Sequence, residues 1–364
     1  MKRIPVLAGV GIAAALAVFT AAAPASASPA QGPNPWLPTS PSHTVVREGL
    51  PLQPHLSAPY VDVTEVGDLA DLSQASGSKY LSLAFLQTEA AGSCTPYWAG
   101  DTTKPVSADV YGSQFNRIRA RGGDVIPSFG GYSADTTNTD IADSCTDVHQ
   151  IALAYENVFS VYKVHRIDLD VEADSITNQA GIDRRNQAIA EVERWGAAHH
   201  WNVSFSYTLP STPQGLAASG IAVLQSAAKY HASIADVNVM TFDYWDGATH
   251  NMLTDAETAA TALTTQLKQT ILPHASPRAL WHTVGIVQMN GIDDYGPEET
   301  FPLDQAAPLV KWASAHGVQT MSFWALQRDN GGCPGTAGSN TCSGVAQPTW
   351  AFSKAFAAFD SWRY

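Results

Sequence analysis

Between residues 60 and 359 the chain repeats one pattern eight times: a short run rich in β-branched or aromatic residues, then a longer Ala-rich stretch of helical character. The short runs fall at 60–64, 80–87, 124–129, 165–172, 201–209, 236–243, 283–288 and 319–324. Among the predicted helices are 107–121, 145–162, 179–199, 214–231, 256–271, 303–316 and 348–359. Strict alternation leaves little choice of topology, because a helix joining consecutive strands brings the chain back parallel through a right-handed crossover. Eight such units over about 300 residues fit a single (β/α)8 TIM barrel. A doubly wound open sheet is the alternative, but no Gly-rich dinucleotide loop follows the first strand.

The N-terminal residues stand outside this repeat. Lys2 and Arg3 precede an apolar run over residues 4–23, and Ala25-Ser26-Ala27 offers small residues for cleavage. Residues 1–27 therefore read as a secretory signal peptide, with a retained anchor as the alternative. Residues 28–57 are rich in Pro, Ser and His and predict a linker or extended arm, which assigns 58–364 to the barrel. No further run is long enough to cross a bilayer, so a soluble, extracellular monomer without a membrane partner is expected. The formal charge is −13, and loss of the two cations Lys2 and Arg3 takes it to −15, which disfavours nucleic acid as a partner. Four cysteines in an exported chain predict disulfides. Cys333 and Cys342 flank a Gly/Ser/Thr-rich loop and are expected to close it, leaving Cys94 to pair with Cys145.

In a barrel of this kind functional side chains lie at the carboxyl ends of the strands. The unusual residues do fall there: Ser128-Phe-Gly-Gly131, Tyr207, Met240 through Trp245, Gln288 with Asn290, and Trp324. By contrast Trp201 and Trp281 precede their strands and read as packing at the opposite face. The most constrained run is Ile167-Asp168-Leu169-Asp170-Val171-Glu172, in which three carboxylates alternate with three aliphatics. Period two puts the acids on one face and the aliphatics on the other. Acids this close cannot all ionise cheaply, so a proton is held among them, and Glu172, nearest the mouth, suits a general acid. A metal site would need ligands from other strands; Asp243 offers one, without a histidine at its level, so no metal or cofactor is expected. Trp324, Tyr244 and Trp245 offer flat surfaces of the kind that stack on pyranose rings, and a general acid beside them points to glycoside hydrolysis.

These residues resemble a known family. Asp168-x-Asp170-x-Glu172 is similar to the Asp-x-x-Asp-x-Asp-x-Glu signature of glycoside hydrolase family 18, the chitinases. Ser128-x-Gly-Gly131 resembles its third-strand motif, and Met240, Asp243 and Trp324 match its sixth- and eighth-strand positions. The resemblance implies a retaining, substrate-assisted hydrolysis of β-1,4-linked N-acetylglucosamine in chitin or its oligosaccharides. Glu172 would protonate the glycosidic oxygen, Asp170 would orient the 2-acetamido group that attacks the anomeric carbon, and Asp168 would share a proton with Asp170. Asp243 would hydrogen-bond near the reacting sugar and Trp324 would form its floor. Ser128, Tyr207, Met240, Tyr244, Trp245 and Gln288 complete the expected substrate-binding set. Two departures stand out. His165 and Arg166 replace the signature's first Asp and Gly, and Phe242 stands where a tyrosine usually helps to hold the acetamido carbonyl, a task left to Tyr244 or Tyr207. Endo-type cutting is expected, because no large insertion separates the seventh and eighth strands. The alternatives are an endo-β-N-acetylglucosaminidase acting on N-glycans and a chitinase-like lectin that binds without cleaving.

Overall fold

The computed structural model describes residues 44–361. The expected signal peptide, residues 28–43 of the expected arm and the last three residues lie outside them. Eight strands form the frame: β1 (Tyr60–Asp62), β2 (Tyr80–Thr88), β3 (Asp124–Gly130), β4 (Arg166–Asp170), β5 (Ser204–Thr212), β6 (Ile234–Met240), β7 (Val284–Met289) and β8 (Thr320–Trp324). The helices that follow them are α1 (Leu69–Ser76), α2 (Gly112–Ala120), α3 (Val148–Tyr162), α4 (Gln179–Ala198), α5 (Ala218–Tyr230), α6 (Met252–Gln269), α7 (Leu303–His316) and α8 (Ala351–Phe356). Each strand pairs in parallel with its successor from β1 through β8. Leu56–Ser57 pairs in parallel with β8, and Ala58 ties β8 to the β1–β2 end of the sheet: its carbonyl accepts from Ser322 Oγ and from Ser82 Oγ of β2. The sheet therefore curls into the expected (β/α)8 barrel.

This closure moves the expected boundary at residue 57. Residues 44–57 are docked: Gly49 exchanges bonds with Lys163 and His165, Asn116 holds Arg47 and Val45, and His55 Nδ1 lies 2.6 Å from the Val318 carbonyl. Leu56 and Ala58 pack on Ile126 in a small core of their own. A Pro-rich composition disguised this segment as a linker, although His55 and Leu56 are buried against the barrel and Leu52 packs beside them.

Helix limits follow local chemistry. Asp68, Asp147, Asn178 and Asn251 cap α1, α3, α4 and α6 by accepting backbone N–H groups, and Gly77 and Gly317 end α1 and α7 in the left-handed conformation. The disulfides are Cys94–Cys145 and Cys333–Cys342, with Cα separations of 4.7 and 6.0 Å. Trp201 stacks on His165, and Trp281 packs edge-on to Trp312, each half-buried and away from the catalytic strand ends as expected.

Candidate active site

Strand parity decides what enters the barrel. On β4, Asp168 and Asp170 point inward while Ile167 and Leu169 are buried in the layer between sheet and helices. Five groups donate to Asp168: Tyr60 and Ser128 to Oδ2 at 2.7 Å each, Ser206, Thr208 and Asn238 to Oδ1 at 2.7, 3.1 and 3.5 Å. Both of its oxygens are thus occupied as acceptors. Asp170 differs. Its Oδ1 is buried without a partner, and burial, followed by the charges of Glu172, Asp168 and Asp135, pushes its proton affinity well above the carboxylate range. The proton of the strand therefore belongs on Asp170.

Glu172 lies two residues beyond the end of β4, at the mouth. Val171 N–H still donates to the Thr208 carbonyl, so the extended path persists almost to Glu172. The side chain is half-buried, and its carboxyl is raised from 4.5 to about 7. Burial is the largest cause; a backbone N–H of Tyr132 opposes it, and the carboxylates of Asp243 and Asp294 add to it. A group poised near neutrality can both give and take a proton.

The glycine pair of β3 makes this arrangement possible. Gly130 has φ +94°, and a Cβ there would lie 2.0 Å from the Asp170 carbonyl oxygen; Gly131 has φ +82°, and a Cβ would lie 2.5 Å from the Phe85 ring. The Phe85 ring in turn stacks on Trp324, with centroids 5.7 Å apart and planes 11° apart, and Tyr60 adjoins both. Trp324 is half-buried, as a floor with one open face must be.

Asp243, half-buried on the loop after β6, has φ +53°. Its Oδ1 accepts from the N–H groups of Asp294 and Tyr295, and its own N–H donates to Asp293 Oδ2. Burial and Asp294 raise its carboxyl to about 7. Met240 points inward at the mouth end of β6, half-buried, in line with Asp236 and Asn238. Trp245 is 61% exposed and meets Tyr295 edge-on.

Three expected binding residues lie elsewhere. Tyr207 is fully buried on the outward face of β5 and donates to Asn186 Oδ1 on α4; Ser206 and Thr208 are the inward pair. Gln288 is likewise fully buried and faces outward, donating to the Met252 carbonyl at the start of α6. Tyr244 rests its ring on His250, 4.8 Å between centroids, and its hydroxyl is buried among Asp255, Glu299, Asp293 and Asp246. Neither tyrosine therefore supplies the hydroxyl that Phe242, itself a buried core residue, lacks.

Residues not anticipated from the sequence also shape the site. Asp135, 2% exposed in the short helix Tyr132–Thr137, accepts the Glu172 backbone N–H at 2.6 Å. Burial and the charge of Asp140 raise its carboxyl to about 9. Asp140 itself pairs with the fully buried Arg185 at 2.6 Å. Asp293 and Glu299, both fully buried, form the β7–α7 loop that cradles Asp243 to Trp245: Glu299 accepts the Tyr244 and Trp245 N–H groups at 2.7 and 3.1 Å. Two sets of acid and histidine side chains here, Asp243/Asp293/Glu299 and Asp246/His250/Glu299, come close enough to converge on one point. Backbone N–H groups already occupy Asp293 and Glu299.

No family model matches the chain. Among relatives, an Escherichia coli K12 protein described as a probable bifunctional chitinase/lysozyme is 30% identical over 318 residues, 84% of this chain and 34% of that protein. Endochitinase 11 of Metarhizium anisopliae is 28% identical over 285 residues, 76% of this chain and 52% of that protein. The chain thus spans about a third to a half of the length of these relatives. Among solved structures, the catalytic domain of the hyperthermophilic chitinase of Pyrococcus furiosus superposes with a TM-score of 0.74 at 30% identity, over 86% of this chain and 98% of that one. A catalytic-site mutant of the same domain complexed with chito-oligosaccharides gives a TM-score of 0.75 at 30% identity, over 86% and 97% of the two chains. A (β/α)8 barrel with a carboxylate strand opening beside an aromatic floor defines a glycoside hydrolase scaffold. The chain belongs to glycoside hydrolase family 18, the chitinases.

Proposed function

We propose that the protein is an exported chitinase that hydrolyses β-1,4-N-acetylglucosamine linkages with retention of configuration. The observation that carries this reading is the division of labour on β4: Asp168 saturated by donors, Asp170 holding a proton, and Glu172 at the mouth raised to about 7. In the proposed sequence Glu172 gives its proton to the glycosidic oxygen as the bond to the anomeric carbon breaks. The substrate's acetamido oxygen forms the new bond to that carbon, giving an oxazolinium ion. Asp170 hydrogen-bonds the acetamido nitrogen and steadies its positive charge. Glu172, now ionised, takes a proton from the water that opens the ring. Asp243 would bond the reacting sugar beside Glu172, and Trp324, backed by Phe85, would form its floor. Two exposed aromatics, Tyr132 at 68% and Trp245 at 61%, supply flat surfaces that extend the cleft for a polymer. Ser128 acts through Asp168, and Met240 packs the wall.

Export is supported by the basic-then-apolar N-terminus and by two disulfides. Among the described residues no helix is long and apolar enough to cross a membrane. The missing hydroxyl at Phe242 favours one second reading, a lectin-like protein that holds the sugar without turning it over. The variant Glu172→Gln separates them. Cleavage of a chitin hexamer by the wild type, with turnover about 10²–10⁴-fold lower in the variant, fits the chitinase. Binding without product in both proteins fits the lectin, and equal turnover in both removes Glu172 as the acid.

A further inference from the structure

The β3–α3 loop, residues 131–147, lies against the β4–α4 loop, residues 171–178, which carries Glu172. Besides Asp135, which accepts the Glu172 N–H, it contributes Asp143, 8% exposed in the short helix Ile141–Ser144. The Asp143 carboxyl accepts from both sides of the turn that follows Glu172. Ser175 Oγ donates to its Oδ2, and Asn178 Nδ2 donates to its Oδ1 at 2.9 Å. The Ile176 N–H closes this turn back onto the Glu172 carbonyl at 3.1 Å. Glu172 is thus held at its N–H by Asp135 and at its carbonyl through a turn that Asp143 fastens. Gly181, in the first turn of α4, leaves room for the contact, since a Cβ there would lie 1.9 Å from Asp143 Oδ1.

The β3–α3 loop is itself tied down on two sides. Towards α4, the fully buried Arg185 donates from Nη2 to Asp140 Oδ1 at 2.6 Å, and Arg184 Nε donates to the Ala142 carbonyl at 2.9 Å. Asp140 also accepts the Ala142 N–H, so the same side chain caps the helix that carries Asp143. Towards β2, Cys145 is joined to Cys94, and Ser144 Oγ bonds the Ala90 and Ser93 carbonyls at 3.1 and 2.8 Å. Burial raises the proton affinity of both Asp135 and Asp143, against the opposing charge of Arg185. Burying acids is costly, and apolar side chains would serve a loop that needed stability alone. Hydrogen bonds add direction, which is what a segment bearing a proton donor requires.

We propose that Asp143 is a positioning residue for the general acid: together with Asp135 it clamps the Glu172 segment from both ends, through Ser175 and Asn178 on its own side. The proposal rests on the reading of Glu172 as the acid. Released from Asp143, the turn over residues 173–178 shifts and takes the Glu172 carbonyl with it. Trp324 and Asp243, which stand on other strands, keep their places. Turnover then falls while substrate affinity holds, because a proton donor misplaced by about 1 Å loses up to about 10²-fold in rate.

The test compares kcat and KM on a chitin hexamer, with melting curves, for wild type, Asp143→Ala, Asp143→Asn, Ser175→Ala/Asn178→Ala and the triple variant with Asp143→Ala. Expected is a kcat about tenfold lower in Asp143→Ala and in Ser175→Ala/Asn178→Ala, with KM within about twofold of wild type. The triple variant should lose no more than Asp143→Ala, because the same contact is broken either way. Asp143→Asn should restore most of kcat, since its amide accepts from Asn178 and donates to the Ser175 hydroxyl. A lowered melting temperature with unchanged kcat reduces Asp143 to a buttress of α4 and overturns the proposal. Additive losses in the triple variant, or a raised KM in place of a lowered kcat, overturn it too. If Asp143→Ala does not fold, wild-type kcat in Ser175→Ala/Asn178→Ala is the overturning result and a tenfold loss there the supporting one. An inactive wild type refutes the chitinase reading instead. Amide hydrogen exchange over residues 172–178 then still tests the clamp: faster exchange in Ser175→Ala/Asn178→Ala supports it, and exchange equal to wild type overturns it.

Discussion

Removing the charge of Asp294 should move the alkaline limb of activity downward. The Asp294 side chain is exposed on the β7–α7 loop, and its charge raises the proton affinity of Glu172; its backbone N–H, which donates to Asp243, is kept in an Asn variant. At about 7 instead of 4.5, Glu172 favours its protonated form by roughly 3 kcal/mol relative to an ordinary glutamate. Most of that comes from burial, and Asp294 is solvent-screened, so the share removed by Asp294→Asn is modest, about half a pH unit. The protonated fraction of Glu172 at pH 7 then falls from about one half to about one quarter. Measured as kcat/KM against pH on a chitin hexamer, activity at pH 7 should halve relative to that at pH 5, with the plateau itself unchanged. At 1 M salt the difference between variant and wild type should shrink, because the Debye length drops to about 3 Å. An unmoved limb, or one displaced upward, would refute the assignment of the alkaline limb to Glu172.

Folding stability should rise as pH falls from about 9 towards 5. Carboxyls raised in the folded state (Asp135 to about 9, Asp293 to about 8, Asp243, Asp236 and Glu172 to about 7) bind protons there that the unfolded chain releases above about 4. Their contribution is complete below the unfolded values and is lost as pH rises through the folded ones, so calorimetry should give a higher Tm at pH 5 than at pH 8. Leu56→Ala should cost about 3 kcal/mol and about 5 °C in Tm, since this side chain is fully buried against Ile126; a free linker would tolerate the change. Asp135→Ala should lower kcat at least tenfold with KM little changed, by freeing the Glu172 backbone, and Asp135→Asn, which retains an acceptor, should restore most of it. Equal rates for the alanine variant and wild type would remove Asp135 from the site.

The alternation of strands and helices was enough to place all eight strands, because a closed barrel must bury both faces and so writes its period into composition. The acidic strand was legible for the same reason: Asp168, Asp170 and Glu172 sit where a barrel strand otherwise carries apolar or hydroxyl side chains. Tyr207 and Gln288 were misjudged because position along a strand was weighed without parity. Phe205, Tyr207 and Leu209 form the apolar outward face of β5, while Ser206 and Thr208 form the inward one, and that alternation was available in the chain. Asp135, Asp293 and Glu299 were out of reach. They lie on loops whose paths depend on close approaches such as Gly131 to Phe85 and on backbone N–H groups turned inward, which no periodicity reports. The docking of residues 44–57 was not legible because they are held mainly through main-chain groups, to which composition is blind.

The most direct measurement is the anomeric configuration of the first products released from a chitin hexamer, followed by proton NMR before mutarotation. A site with one general acid at the mouth, a protonated Asp170 beneath it and an acetamido group as nucleophile must yield the β-anomer at the new reducing end. Initial release of the α-anomer would require water to attack directly from the opposite face and would contradict the roles assigned to Glu172 and Asp170.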